Sequence, residues 1–65
     1  MKTQLDILKK DSNGTFLWVD AVSDMETAEA RLRQLSAKSP EEFVVFRETD
    51  LRVVATYADR TYKQL

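Results

Sequence analysis

Hydrophobic and polar positions recur with two different periods along this chain, and the changes of period divide it into elements. From Gln4 to Lys10 and from Thr15 to Val22 the side chains follow a period of two, the signature of strands. From Ser23 to Lys38 the period lengthens. Met25, Ala28, Leu32 and Leu35 recur at spacings of three and four, lining one face of a helix and leaving Glu26, Ala30, Arg33 and Ala37 to water. Glu42 to Glu48 is a short run centred on Phe43-Val44-Val45-Phe46, apolar on both faces, as a central strand would be. Arg52 to Tyr57, rich in valine and tyrosine, predicts a fourth strand after a turn over Glu48 to Leu51. The tail, Asp59 to Leu65, has no clear period and is expected to fray or add a helical turn.

Local signals set the boundaries. Asp11-Ser12-Asn13-Gly14 fits a three-residue hairpin loop in which Gly14 takes the left-handed conformation; a two-residue Asn13-Gly14 loop competes with it. The three-residue loop sets Lys9 opposite Leu17, Ile7 opposite Val19 and Leu5 opposite Ala21. It gathers the aliphatic residues on one face, so it is preferred. Ser23 with Glu26 three residues later reads as a capping box. Glu29 stands four residues before Arg33, the favourable order for a helical ion pair. Pro40 forces Ser39 away from helical dihedrals, so the helix should stop near Lys38.

The order ββαββ then predicts an α+β domain: a four-stranded antiparallel sheet of order 2-1-3-4 with one helix packed on one face. Arg47 lies on the Phe43 and Val45 face, and a charge is easier to place on an uncovered surface. Val44 and Phe46 are therefore expected under the helix, with Leu32 and Leu35 packing on Ile7, Val19 and Phe46. The second face of the sheet has nothing to cover it. On this register it carries Leu8, Phe16, Trp18, Phe43, Val45 and Arg47, with Lys10, Asp6 and Asp20 among them. An apolar sheet face of that size meets something, and these six residues are the interface candidates.

Composition narrows the chemistry. Sixty-five residues allow one domain, residues 1–65. A chain this short buries only about 60% of its unfolded surface, so self-association would help it. With no Cys and no His, neither a disulfide nor a structural zinc site is expected, and nucleophilic catalysis loses the cysteine thiolate and the histidine base. Asp11, Ser12 and Asn13 do not start an EF-hand loop, because its twelfth position would be Val22 rather than a glutamate. Asp24, Glu26 and Glu29 suit the first turns of a helix through its dipole. No catalytic residue, metal or cofactor is expected. A formal net charge of -1 gives no electrostatic footprint for nucleic acid or anionic lipid. Met1 to Lys10 holds no apolar run of signal-peptide length, and no segment is long enough to span a membrane, so a cytoplasmic protein is expected.

The hairpin ending in Trp18-Val19, the helix with Ala28, Arg31 and Leu35, and Ser39-Pro40 before Phe43 to Phe46 together resemble a set of short uncharacterised bacterial proteins. That resemblance implies a small bacterial ββαββ domain and brings no activity with it. A weaker likeness is to HicB-type antitoxin domains, which also open with a strand, an acidic Gly turn and a second strand before a helix.

The function expected from these features is a non-enzymatic interaction or regulatory module. It would be a homodimer, formed through the open sheet face or the edge strand Thr15 to Val22, and would bind another protein of unknown identity. The alternative is a single-stranded nucleic-acid-binding protein that stacks bases on Phe16, Trp18 and Phe43 beside Lys10 and Arg47. Asp6 and Asp20 on the same face would repel phosphate, which argues against nucleic acid as the partner.

Overall fold

Asp24 starts the helix and the hairpins follow from their turns. In the computed structural model, which describes residues 4–38 and 41–65, the elements are β1 (Leu5–Lys10), β2 (Phe16–Val22), α1 (Met25–Lys38), β3 (Glu42–Arg47), β4 (Arg52–Ala58) and β5 (Thr61–Gln64). All five strands form one antiparallel sheet in the order β2-β1-β3-β4-β5, with α1 on one face. The expected order of the first four strands is therefore found. The expected frayed or helical tail is not: residues 61–64 add a fifth strand at the edge, and Tyr62 pairs with Tyr57. Its turn is Asp59-Arg60, both with positive φ (52° and 63°), the conformation of a tight two-residue hairpin. That turn ordinarily carries Asn-Gly or Asp-Gly, so its sequence signal is missing here. The helix ends at Lys38, as expected, while Ser39 and Pro40, the residues expected to stop it, lie outside the described residues.

The first hairpin closes as the three-residue loop predicts. The amide of Asp11 donates to the Thr15 carbonyl at 2.9 Å, that of Gly14 to the Asp11 carbonyl at 3.0 Å, and Gly14 has φ 83°. The Asp11 carboxylate also accepts from the amides of Asn13 and Thr15. Lys9 faces Leu17 as expected, but the register then slips. Leu8 faces Trp18, Ile7 faces Asp20 and Leu5 faces Val22, leaving Val19 as the extra residue of a bulge. Beyond it the faces of β2 exchange. Asp20 and Val22 turn to the helix side and Ala21 to the open side, the reverse of the expected arrangement. Asp20 is held there by Arg31 of α1 at 2.8 Å, and its carboxylate accepts from the Ala21 amide at 2.8 Å. A charge can sit on the helix side because it meets a charge from the helix.

The face of β3 is also the opposite of the expected one. Phe43 and Val45 are buried beneath α1, with Val44 and Phe46 on the open side. Ile7 faces Val45 and Lys9 faces Phe43 across the sheet, which places all four side chains on one surface. Arg47 shares that surface but ends the strand, and it reaches Asp50 in the following turn through two bonds of 2.9 and 2.6 Å. The charge that argued for an open face is thus satisfied locally at the strand's end. A second bulge, between Val45 and Phe46 against β4, keeps Ala55 and Tyr57 on the helix side and Val53 on the open side.

The core is Leu5, Ile7, Phe43, Val45, Ala55 and Tyr57 of the sheet against Ala28 and Leu32 of the helix. Met25 and Leu35 complete the helical stripe, with Val19, Val22, Val54 and Tyr62 packed around it. The predicted stripe therefore faces the sheet, while Glu26, Ala30, Arg33 and Ala37 are exposed. The cap differs by one residue. Asp24, not Ser23, accepts from the Thr27 amide at 2.7 Å, and this bond pulls its carboxyl below the usual range. Glu29 and Arg33 form the expected pair at 2.7 Å. Among the described residues no helix is long and apolar enough to cross a membrane.

Candidate functional site

The pleat sends alternate side chains of every strand to the uncovered face, where the pairing sorts them into three levels. The middle level runs Trp18, Leu8, Val44, Thr56 and Lys63 from β2 to β5. Towards the first hairpin loop lie Phe16, Lys10 and Glu42, and towards the far end lie Ala21, Asp6, Phe46 and Val53. Apolar groups thus occupy the centre and one flank. Trp18 is 62% exposed, Phe16 50% and Val53 41%, whereas Leu8, Val44 and Phe46 are half-buried by their neighbours.

Apart from Thr56 and Lys63 on β4 and β5, the polar groups are divided between the two ends. Lys10 stands 4.0 Å from Glu42, a loose pair at the hairpin end. At the other end the carboxylate of Asp6 accepts from the Trp18 indole nitrogen at 3.4 Å. Glu48 lies beside Asp6. Loss of part of its water shell, then the hydrogen bond and charge of Asp6, push the Glu48 carboxyl above its ordinary range. One end of the face is therefore distinctly acidic and the other carries the lysine.

Of the six interface candidates, the structure brings three together here: Leu8, Phe16 and Trp18. Phe43 and Val45 are core residues, 2% and 0% exposed, and Arg47 is on the helix side in its pair with Asp50. Their places are taken by Val44, Phe46 and Val53. The signal that could have found them is Arg47's position as the last residue of its strand, next to a turn containing Asp50. Phe16 and Trp18 were legible because they precede the bulge and so keep the register that the hairpin loop sets.

Elsewhere the surface offers little chemistry. An open groove beside β2 is lined by Gln4, Asp20, Val22, Ser23, Thr27 and Arg31, with its two charges already paired to each other. Among the described residues no three His, Cys, Asp or Glu side chains converge, and no buried polar side-chain atom lacks a partner. The two sheet edges differ. β5 is only four residues long, and β2, though longer, is bent by its bulge, a feature that blunts an edge against pairing with another chain. No family model, curated protein or solved structure matches the chain.

Proposed function

We propose that this protein is a non-enzymatic interaction module that self-associates through the open face of its sheet. The observation that carries the reading is that Trp18 and Phe16, both at least half exposed, share with Val53 a face that also shows Leu8, Val44 and Phe46. The opposite face of the same sheet is sealed by a helix. Contiguous apolar surface of this kind is removed from water by a partner. The bulge in β2 favours the face over the edge as the route. A small bacterial, cytoplasmic regulator or adaptor is the setting this reading suits.

Base stacking on Phe16 and Trp18 is disfavoured by the acids Asp6 and Glu48 on the same face and by the net charge of -1. Phe43, a third platform in that scheme, is buried.

Sedimentation at micromolar concentration tests the reading. The unmodified protein should be a dimer, and Trp18→Lys should give a folded monomer, since Trp18 contributes nothing to the core beneath the helix. A folded monomer for the unmodified chain, with Trp18 fluorescence open to acrylamide, would remove self-association. Binding to single-stranded oligonucleotides that collapses with added salt would replace it with the base-stacking alternative.

A further inference from the structure

We infer that the two copies meet open face to open face, about a two-fold axis lying between the sheets at right angles to the strands. Lys10 of each copy then reaches Asp6 and Glu48 of the other. This rests on the self-association reading and adds its geometry. β1 displays Asp6, Leu8 and Lys10 in succession on the open face. Opposite charges thus stand four residues apart, about 13 Å, with a leucine midway. An axis across the strands at the level of Leu8 leaves the middle level facing itself and exchanges the two ends. Lys10 comes over the acid pair of the other copy, twice by symmetry.

The same axis matches sizes. Phe16 at one end of β2 comes over Ala21 at the other end, and Trp18 meets its own copy at the centre. On β4, Val53 comes to the level of Ala58. Large side chains therefore meet small ones on both flanks, which lets two sheets approach to the usual ~10 Å. Glu42, loosely paired to Lys10, falls at the level of Phe46, away from Glu48. Lys63 meets its own copy only at the rim, on the edge strand, where water and salt screen it. An axis along the strands has none of these advantages. It sets the acid end of each face against the acid end of the other.

Charge reversal tests the axis at low ionic strength, where screening is least. Lys10→Glu and Asp6→Lys should each raise the dimer dissociation constant at least about tenfold, since each makes two repulsive contacts. The triple variant, Lys10→Glu with Asp6→Lys and Glu48→Lys, should dimerise within about threefold of the unmodified chain, because reversal of every partner restores attraction. Circular dichroism checks that each variant is folded. Should a reversal unfold the chain, Lys10→Gln and Asp6→Asn carry the same test, each weakening the dimer with no new repulsion. A monomeric unmodified chain would remove the self-association reading itself. A dimer broken by Trp18→Lys but indifferent to the charge variants, or not regained by the triple variant, would overturn this axis and leave the face dimer standing.

Discussion

The two faces of the sheet are built from neighbouring residues of the same strands, and their fates differ. Along β3, Phe43 and Val45 are sealed beneath α1, while Val44 and Phe46, each one position further on, stay half-exposed on the other side. Both pairs are one aromatic and one valine, so composition does not separate them. What separates them is the partner across the sheet: Phe43 and Val45 stand level with Lys9 and Ile7, Val44 and Phe46 with Leu8 and Asp6. The covered face gathers Leu5, Ile7, Ala55 and Tyr57 into one cluster with the helix. The open face interrupts its apolar groups with Asp6 and Lys10 at opposite ends. Stability resides in the first face, and the second is the one that the proposed partner would cover.

Truncating the two phenylalanines of β3 tests whether the two faces differ in energy. Phe43→Ala should cost about 3–5 kcal/mol, close to the whole stability of a domain this small. Phe46→Ala should cost less than half as much, because its ring is already partly in water. Equal losses in denaturant unfolding, measured at concentrations where only monomer is present, would mean that the two faces are not distinct in energy. Leu32→Ala, on the helix side of the same core, should cost about 2–5 kcal/mol. A melting temperature unchanged in that variant would show that α1 does not seal the face.

Much of this contrast was legible in the residues, and the parts that were not share a cause. The helical stripe, the three-residue loop and the order of the first four strands follow from local periods and one glycine. Face assignment is not local, because a single extra residue inverts everything after it. Val19 is such a residue in β2, and no glycine marks it. In β3 the residue pattern puts the charge of Arg47 inside the strand, whereas Arg47 ends it. Its bidentate contact with Asp50 depends on the turn, which a period does not describe. The fifth strand escaped because Asp59-Arg60 makes its turn without glycine. The site inherited these errors: Leu8, Phe16 and Trp18 precede the slip or lie on β1, and the misplaced candidates all lie on β3.

The helix cap acts on the covered side, since α1 covers the face only if it starts in place. Asp24→Ala should lower the melting temperature measurably, though by much less than Leu32→Ala, and Ser23→Ala should be close to neutral. The sign with pH follows from the depressed carboxyl of Asp24. Its contribution is present above the unfolded-state value, ordinarily 3.8, and is lost as pH falls through the lower folded-state value. The difference between the unmodified chain and Asp24→Ala should therefore shrink in strong acid. A larger effect from Ser23→Ala than from Asp24→Ala would return the cap to Ser23.

The smallest expected effect belongs to the open face, where like charges meet instead of opposite ones. On the covered side Asp20 meets Arg31; on the open side Glu48 meets Asp6. Partial loss of water and the neighbouring carboxylate raise the Glu48 value above its ordinary 4.5, so the folded chain holds a proton that the unfolded chain releases. In that window the native state binds more protons, and stability must fall as pH rises through it. Above the window, at neutral pH, the ionised Glu48 is a small liability. Glu48→Gln should then raise the melting temperature slightly at pH 7, and the gain should vanish once pH is below 4.5. The measurement belongs on the monomer, at concentrations well below the dimer dissociation constant. In a dimer with Lys10 of the other copy close by, the same carboxylate would be an asset, and Glu48→Gln would weaken association while stabilising the single chain. A loss of monomer stability at neutral pH would show that Glu48 and Asp6 do not repel one another, and that the acid end of the open face is no different from its surroundings.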